Sequence, residues 1–182
     1  MIMNKLVYSS TRFKNLGFQI GLDSKFEQAK GVRIEGDSQT LGDHAIFTTA
    51  ELKVNKFLSL RPALRASYNS KFNVPLIPSF NTLIKLNKID LRMSYARGFR
   101  APTLKELYFE FVDINHNILG NKNLESENSN NFQMSFDFKK NIDKLNIDFS
   151  SNIFLNDINN LITLSQSPNS LEYSYFNIGE YK

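Results

Sequence analysis

Cysteine and tryptophan are both absent from this chain of 182 residues. Without cysteine there is no disulfide and no thiolate metal site. No stretch of about 18 consecutive apolar residues occurs, so no helix is long and apolar enough to cross a bilayer. The opening Met1-Ile2-Met3-Asn4-Lys5-Leu6-Val7 lacks the apolar run of about 7–15 residues and the small-residue cleavage site that make a secretory leader. Histidine is scarce, with two copies, and no His-x-x-x-His or Gly-x-Ser-x-Gly arrangement exists. The carboxylates are scattered on polar faces, where solvation is their expected role. Neither an enzyme nor a resident cofactor is expected. The formal charge of +4 is spread along the chain. A nucleic-acid partner would need a basic cluster, and none is present.

Alternation is abundant. Leu16, Phe18, Ile20, Leu22 and Phe26 alternate with polar or small residues, and Ile46, Thr48, Ala50, Leu52 and Val54 form one side of a second segment. Leu58, Leu60, Leu64, Ala66 and Tyr68 oppose Ser59, Arg61, Ala63, Arg65 and Ser67 in the cleanest segment. Phe80–Leu86, Ile89–Tyr95, Phe132–Phe138 and Leu145–Ile153 repeat the pattern, and a last strand starts near Glu172. Period two is the signature of strands with one apolar and one polar face. Leu6 to Ser10 reads as the end of an earlier strand. Pro62 cannot donate a ladder hydrogen bond, so it belongs at a bulge or an unpaired position. About eight strands are counted, and His44 starts one of them.

The connections alternate in length. Those near 55–57, 87–88 and 139–144 are short, while 28–43, 69–79, 98–129 and 156–171 are long. Asn156 to Asn160 interrupts the strand before the last long loop, and Pro168 lies inside that loop. An all-β, antiparallel, up-and-down transmembrane β-barrel has this asymmetry. A soluble β-sandwich has short strands too, but rarely strict alternation of short and long connections. In lipid, every backbone amide must be bonded within the protein, which forces strands to close. Leu58, Leu60 and Leu64, with Phe132, Met134, Phe136 and Phe138, would then meet lipid. Arg61, Arg65, Asp90, Arg92, Asp137 and Asp148 would face the lumen.

The longest connection carries the most specific signal. It opens Tyr95-Ala96-Arg97-Gly98-Phe99-Arg100-Ala101-Pro102, continues Leu104-Lys105-Glu106-Leu107-Tyr108-Phe109, and closes Gly120-Asn121-Lys122-Asn123-Leu124-Glu125-Ser126-Glu127. Gly98 is read as the point where the backbone turns, and Pro102 holds Ala101 extended. The two runs resemble the paired boxes that bracket one extracellular loop in TonB-dependent outer-membrane receptors, with Lys122 where the second box often has Pro. That resemblance implies a bacterial outer-membrane location and a barrel of about 22 strands with a plugged lumen. Residues 1–182 would be a fragment of its barrel domain, with the plug, the TonB box and the leader elsewhere. The implied function is TonB-energised import of a large scarce nutrient such as a ferric siderophore, haem or cobalamin. Its implied partners are the TonB complex, that ligand and outer-membrane lipid. A complete eight-stranded barrel with a structural or adhesive role is the alternative.

The resemblance also marks residues. Haem receptors resembling this family can use a His between the boxes as an axial iron ligand, the interval that holds His116. Bonding within the loop to Asp113, Asn115 and Asn117 is its plainer role. Arg97, Arg100 and Glu106 could contact an anionic ligand or a plug through charge-assisted bonds; a local salt-bridge network is the simpler expectation. Tyr108, Phe109 and Phe111 could stack on a flat ligand, pack under the loop, or join an aromatic girdle. His44 is expected to be structural.

Overall fold

The computed structural model describes residues 1–143, 145–167 and 171–181. Lys144, Pro168 with its two successors, and Lys182 lie outside the described residues, and so do the turn and loop readings that rest on them. The long strands are β1 (Ile2–Phe13), β2 (Leu16–Lys30), β3 (Ser38–Lys53), β4 (Leu58–Asn69), β5 (Ile77–Leu86) and β6 (Ile89–Arg100). After a five-residue helix α1 (Leu104–Tyr108) come two short strands, β7 (Glu110–Val112) and β8 (Asn117–Leu119). Three more long strands follow, β9 (Glu127–Ile142), β10 (Leu145–Gln166) and β11 (Tyr173–Tyr181). Among the described residues all eleven strands form one sheet, in the order β1-β2-β3-β4-β5-β6-β9-β10-β11-β8-β7. Sequential long strands pair antiparallel, as in an up-and-down barrel, but the sheet is open.

The count exceeds the eight read from alternation mainly because β7 and β8, three residues each, lie inside the connection read as a loop, and the long strands also continue where the pattern fades. β1 starts at Ile2 rather than Leu6, and β3 starts at Ser38 rather than His44. Asn156 to Asn160 is no interruption: β10 runs through it, pairing Asn156 with Asn131 and Asp157 with Asn130 on β9. Lys139 to Ile142 is likewise strand, with Lys139 opposite Asp148. Beyond the apolar band a strand needs no alternation, because water or neighbouring polar groups satisfy both faces. The long loops are correspondingly shorter than expected.

Gly98 is a second correction. It lies inside β6 opposite Ser129, not at a turn. A Cβ there would come within 2.3 Å of the Ser129 hydroxyl, so its small size makes room across the sheet. Pro62 behaves as expected. The β4–β5 ladder runs straight past it, while the β3–β4 ladder skips from Thr49↔Ala63 to Leu52↔Leu60.

Register builds two unlike faces. One transverse row joins Leu60, Thr82, Met93, Met134 and Ile153, and another joins Leu6, Leu22, Ile46 and Ala66. Many of these side chains are open in the chain by itself; Leu6 and Ile153 are each 69% exposed. So broad an apolar face suits lipid and would be an aggregation liability in water. Tyr95 packs on Phe132 at 4.9 Å, and its hydroxyl donates to Asn130 at 3.0 Å. An apolar ring with a polar tip marks the edge of the band.

The other face carries paired charges: Arg65 with Asp23 at 3.1 Å, Arg61 with Glu51 at 2.6 Å, and Arg92 with Asp137 and Asp90. Asp148, opposite Lys139, shares that face. A one-layer sheet has no core of its own. The buried cluster of Leu107, Leu124 and Ile162, with Phe72, Tyr108 and Tyr175 against it, sits instead at the end that carries the long loops.

Candidate functional site

At that end the 101–126 connection folds into a small packed unit. Thr103 caps α1 by accepting from the Glu106 amide at 3.2 Å, and the Glu106 carboxylate returns to the Thr103 amide at 2.7 Å. This reciprocal box satisfies amides that the first turn would leave unpaired. Leu104 and Leu107 bury the inner side of α1. Gly120 lies against its end, where a Cβ would come within 2.6 Å of the Leu107 and Tyr108 backbone. Only glycine permits that approach.

Arg100 ties this unit to the sheet. Its Nε and Nη2 reach the Glu127 carboxylate at 2.7 and 2.5 Å, and its Nη1 reaches both Glu106 oxygens at 3.0 Å. Glu127 also accepts the Ile162 amide at 2.7 Å. The guanidinium fork therefore joins the end of β6, helix α1 and the start of β9, and through Glu127 it also reaches β10. Arg97 is half-buried opposite Asn130. Strand alternation sets it on the Met93–Tyr95 side, away from the Arg100 cluster.

The same connection spans the loop-bearing end of the sheet. On one flank, Glu35 donates its amide to the Tyr108 carbonyl and Glu110 donates its amide to the Arg33 carbonyl, each at 2.9 Å. Phe109 bridges Ile34, Lys122 pairs with Glu35, and Lys71 donates to the Tyr108 hydroxyl at 2.8 Å. On the other flank, β8 runs parallel beside β11, and Asn121 donates to the Tyr175 carbonyl at 2.8 Å. The loop thus links the β2–β3 tip to β11.

His116 lies between β7 and β8, with its side chain 49% exposed. Asp113 Oδ1 accepts the amides of Asn115 and His116 at 2.8 Å and meets the ring Nδ1 at 2.9 Å. The Asn115 amide, followed by the His116 ring, holds the Asp113 carboxyl below the ordinary carboxylate range. An ionised carboxylate only accepts, so Nδ1 carries the proton, and in its neutral form the ring keeps its lone pair on Nε2. No hydrogen bond reaches Nε2 among the described residues. The ring stacks on Phe111 at 4.6 Å and 19°, and Phe111 leans on Phe109 at 6.0 Å. The result is an oriented imidazole, half exposed at the loop-bearing end of the sheet, whose Nε2 could ligate a borderline metal centre. His44 is structural, bonded to Ser24 at 2.8 Å and stacked on Tyr68.

Of the residues marked from sequence, His116, Tyr108 and Phe109 come together in one loop unit. Arg100 anchors that unit, and Arg97 stands apart. Glu127 lies within the second box, but nothing local in the sequence signals its pairing with Arg100. Arg33 had no local signal at all.

The TonB dependent receptor-like β-barrel model matches residues 7–182. The chain belongs to that family. As a TonB-dependent receptor barrel it is a bacterial outer-membrane protein, and the family is one of transporters and receptors. Its backbone superposes on the siderophore receptor PirA from Pseudomonas aeruginosa with a TM-score of 0.79 at 20% identity. That likeness covers 98% of this chain and 34% of PirA. A Serratia marcescens hemophore receptor, HasR, solved with its hemophore HasA and heme, gives a TM-score of 0.71 at 13% identity over 96% of this chain and 36% of its own. At such identities these likenesses establish the fold. A probable hemoglobin and hemoglobin-haptoglobin-binding protein of Haemophilus influenzae is 34% identical over 98 residues, 52% of this chain and 9% of that protein. The hemoglobin-haptoglobin utilization protein B of Neisseria meningitidis serogroup C is 26% identical over 74% of this chain and 15% of its own length. The chain thus spans a small part of the curated relatives it matches.

Proposed function

We propose that this chain forms one wall of a TonB-dependent receptor that takes up haem, and that His116 is an axial ligand to the haem iron through Nε2. Residues 1–182 would be about a third of a barrel domain that works with a plug and a TonB-contacting segment. The carrying observation is the Asp113–His116 pair, in which the carboxylate accepts from Nδ1–H, fixes the ring and leaves Nε2 without a hydrogen-bond partner among the described residues. A carboxylate bonded to the distal nitrogen of an imidazole ligand fixes its tautomer and raises its basicity. The relatives named for binding hemoglobin and hemoglobin–haptoglobin support haem over other cargo, with a host haem protein as its source. The siderophore receptor likeness lies in the fold and does not favour a siderophore.

The test is His116→Ala in the full-length receptor. Haem affinity is expected to fall and the Soret band of the complex to shift. An unchanged spectrum and affinity would remove His116 as a ligand, and a siderophore or cobalamin would then become the better reading.

A further inference from the structure

The β2–β3 tip presents a cation beside the His116 loop. Gly36 and Asp37, at φ +74° and +62°, bend the chain sharply. The Gly31 amide bonds the Asp37 carbonyl at 3.0 Å, and the Ile34 amide bonds the Gly31 carbonyl at 2.9 Å. Arg33 stands on this tip, exposed. Its guanidinium lies over the Phe111 ring, 4.2 Å from the centroid. The same ring carries the His116 imidazole at 4.6 Å. Guanidinium and imidazole therefore share one aromatic platform, no further apart than two stacking distances.

Most neighbouring cations are spoken for. Arg100 is clamped by Glu106 and Glu127, Lys122 by Glu35, and Lys71 bonds the Tyr108 hydroxyl. Arg33 meets no carboxylate among the described residues; its side chain is placed by Phe111 alone. Stacking orients the plane of the guanidinium and leaves its N–H fork open at the edge. Such a fork suits a carboxylate. A haem offers carboxylates at the porphyrin rim, several ångströms to one side of the iron.

We infer that Arg33 binds a haem propionate, so that the site is built from two loops: an iron ligand from 101–126 and a carboxylate clamp from the β2–β3 tip. This rests on the haem reading and adds the orientation of the porphyrin, with its acidic edge turned toward β2 and β3. Phe111 is the shared platform that fixes cation and ligand relative to one another.

The experiment titrates the full-length receptor with haem and with haem dimethyl ester, in which both carboxylates are masked. Arg33→Gln is expected to weaken haem about tenfold. It should leave the ester and the Soret position unchanged, because the iron ligand stays in place. Arg33→Lys should recover only part of the haem affinity, because it keeps the charge but loses the planar fork. The loop contacts made by the Arg33 backbone survive both substitutions, which separates a lost clamp from an undocked loop. Equal weakening of haem and ester, or no weakening of either, would overturn the clamp while a His116-dependent Soret shift still stood. Loss of that shift in the His116 comparison would overturn the haem reading and this inference together.

Discussion

Arg100 is the last residue of β6 and Glu127 the first of β9, and they face each other across the ladder in a two-pronged pair at 2.7 and 2.5 Å. Twenty-six residues of connecting loop leave and return through that pair. The strands therefore close below the loop, and the loop becomes a unit with its own anchor, cap and core. Residues that mark this family by sequence thus serve first to hold the loop that carries His116.

Arg100→Ala should loosen the loop without unfolding the barrel. It leaves the Glu106 and Glu127 carboxylates without their shared cation. A local loss of about 1–2 kcal/mol is expected, since the pair is only partly buried. Limited proteolysis of the full-length receptor should show new cleavage between residues 101 and 126, with heat resistance of the barrel unchanged. Cleavage indistinguishable from wild type would show that the loop does not depend on this anchor.

Gly120→Ala should displace β7 and β8 from α1. The added methyl meets backbone rather than a movable side chain, so the strain is expected to cost about 1–3 kcal/mol. Hydrogen exchange of the Gly120 and Asn121 amides, bonded to the Phe109 and Glu106 carbonyls, should accelerate. Unchanged protection of both amides would contradict the close packing.

Asp113→Ala should weaken haem binding without abolishing it. The substitution frees the His116 ring to rotate and removes the acceptor for Nδ1–H. Losses of about 10–100-fold are typical for such outer partners. The Soret band should still shift on binding. A loss as complete as that of His116→Ala would mean that Asp113 holds the loop fold rather than the ring.

Met134 and Gln133 are adjacent on β9 and should respond oppositely to charge. Met134→Arg places a guanidinium among Met93 and Ile153 on the apolar face, at about 2–4 kcal/mol near the midplane and less toward the interfaces. Gln133→Arg points to the face already occupied by Arg61 and Arg92 and should be nearly neutral. Folding titrations into lipid vesicles would compare them, and equal costs would undo the assignment of faces.

Residues 1–182 expressed alone behind a leader should aggregate or be degraded and support no uptake. The outer side of β1 has no partner among the described residues, and lipid cannot satisfy an open row of amides and carbonyls. TonB-dependent uptake restored by this chain alone in a receptor-deficient strain would refute the larger-barrel reading.

Alternation by itself determined the strands within the membrane band, because one face must be apolar and the other polar there. Leu58 to Tyr68 and Phe132 to Phe138 were legible for that reason, and so was the alternation of short and long connections. The two boxes around His116 were legible as local runs. Where lipid no longer enforces alternation, the sequence lost its grip: Asn156 to Asn160 looked like a break yet lies within β10, and Gly98 looked like a turn yet lies within β6. The pairing of Arg100 with Glu127 needed the loop to return on itself, and the meeting of Arg33 with Phe111 and His116 needed two loops to dock. Such contacts depend on chain segments far apart in sequence, held by backbone bonds between loops, and only the tertiary structure decides them.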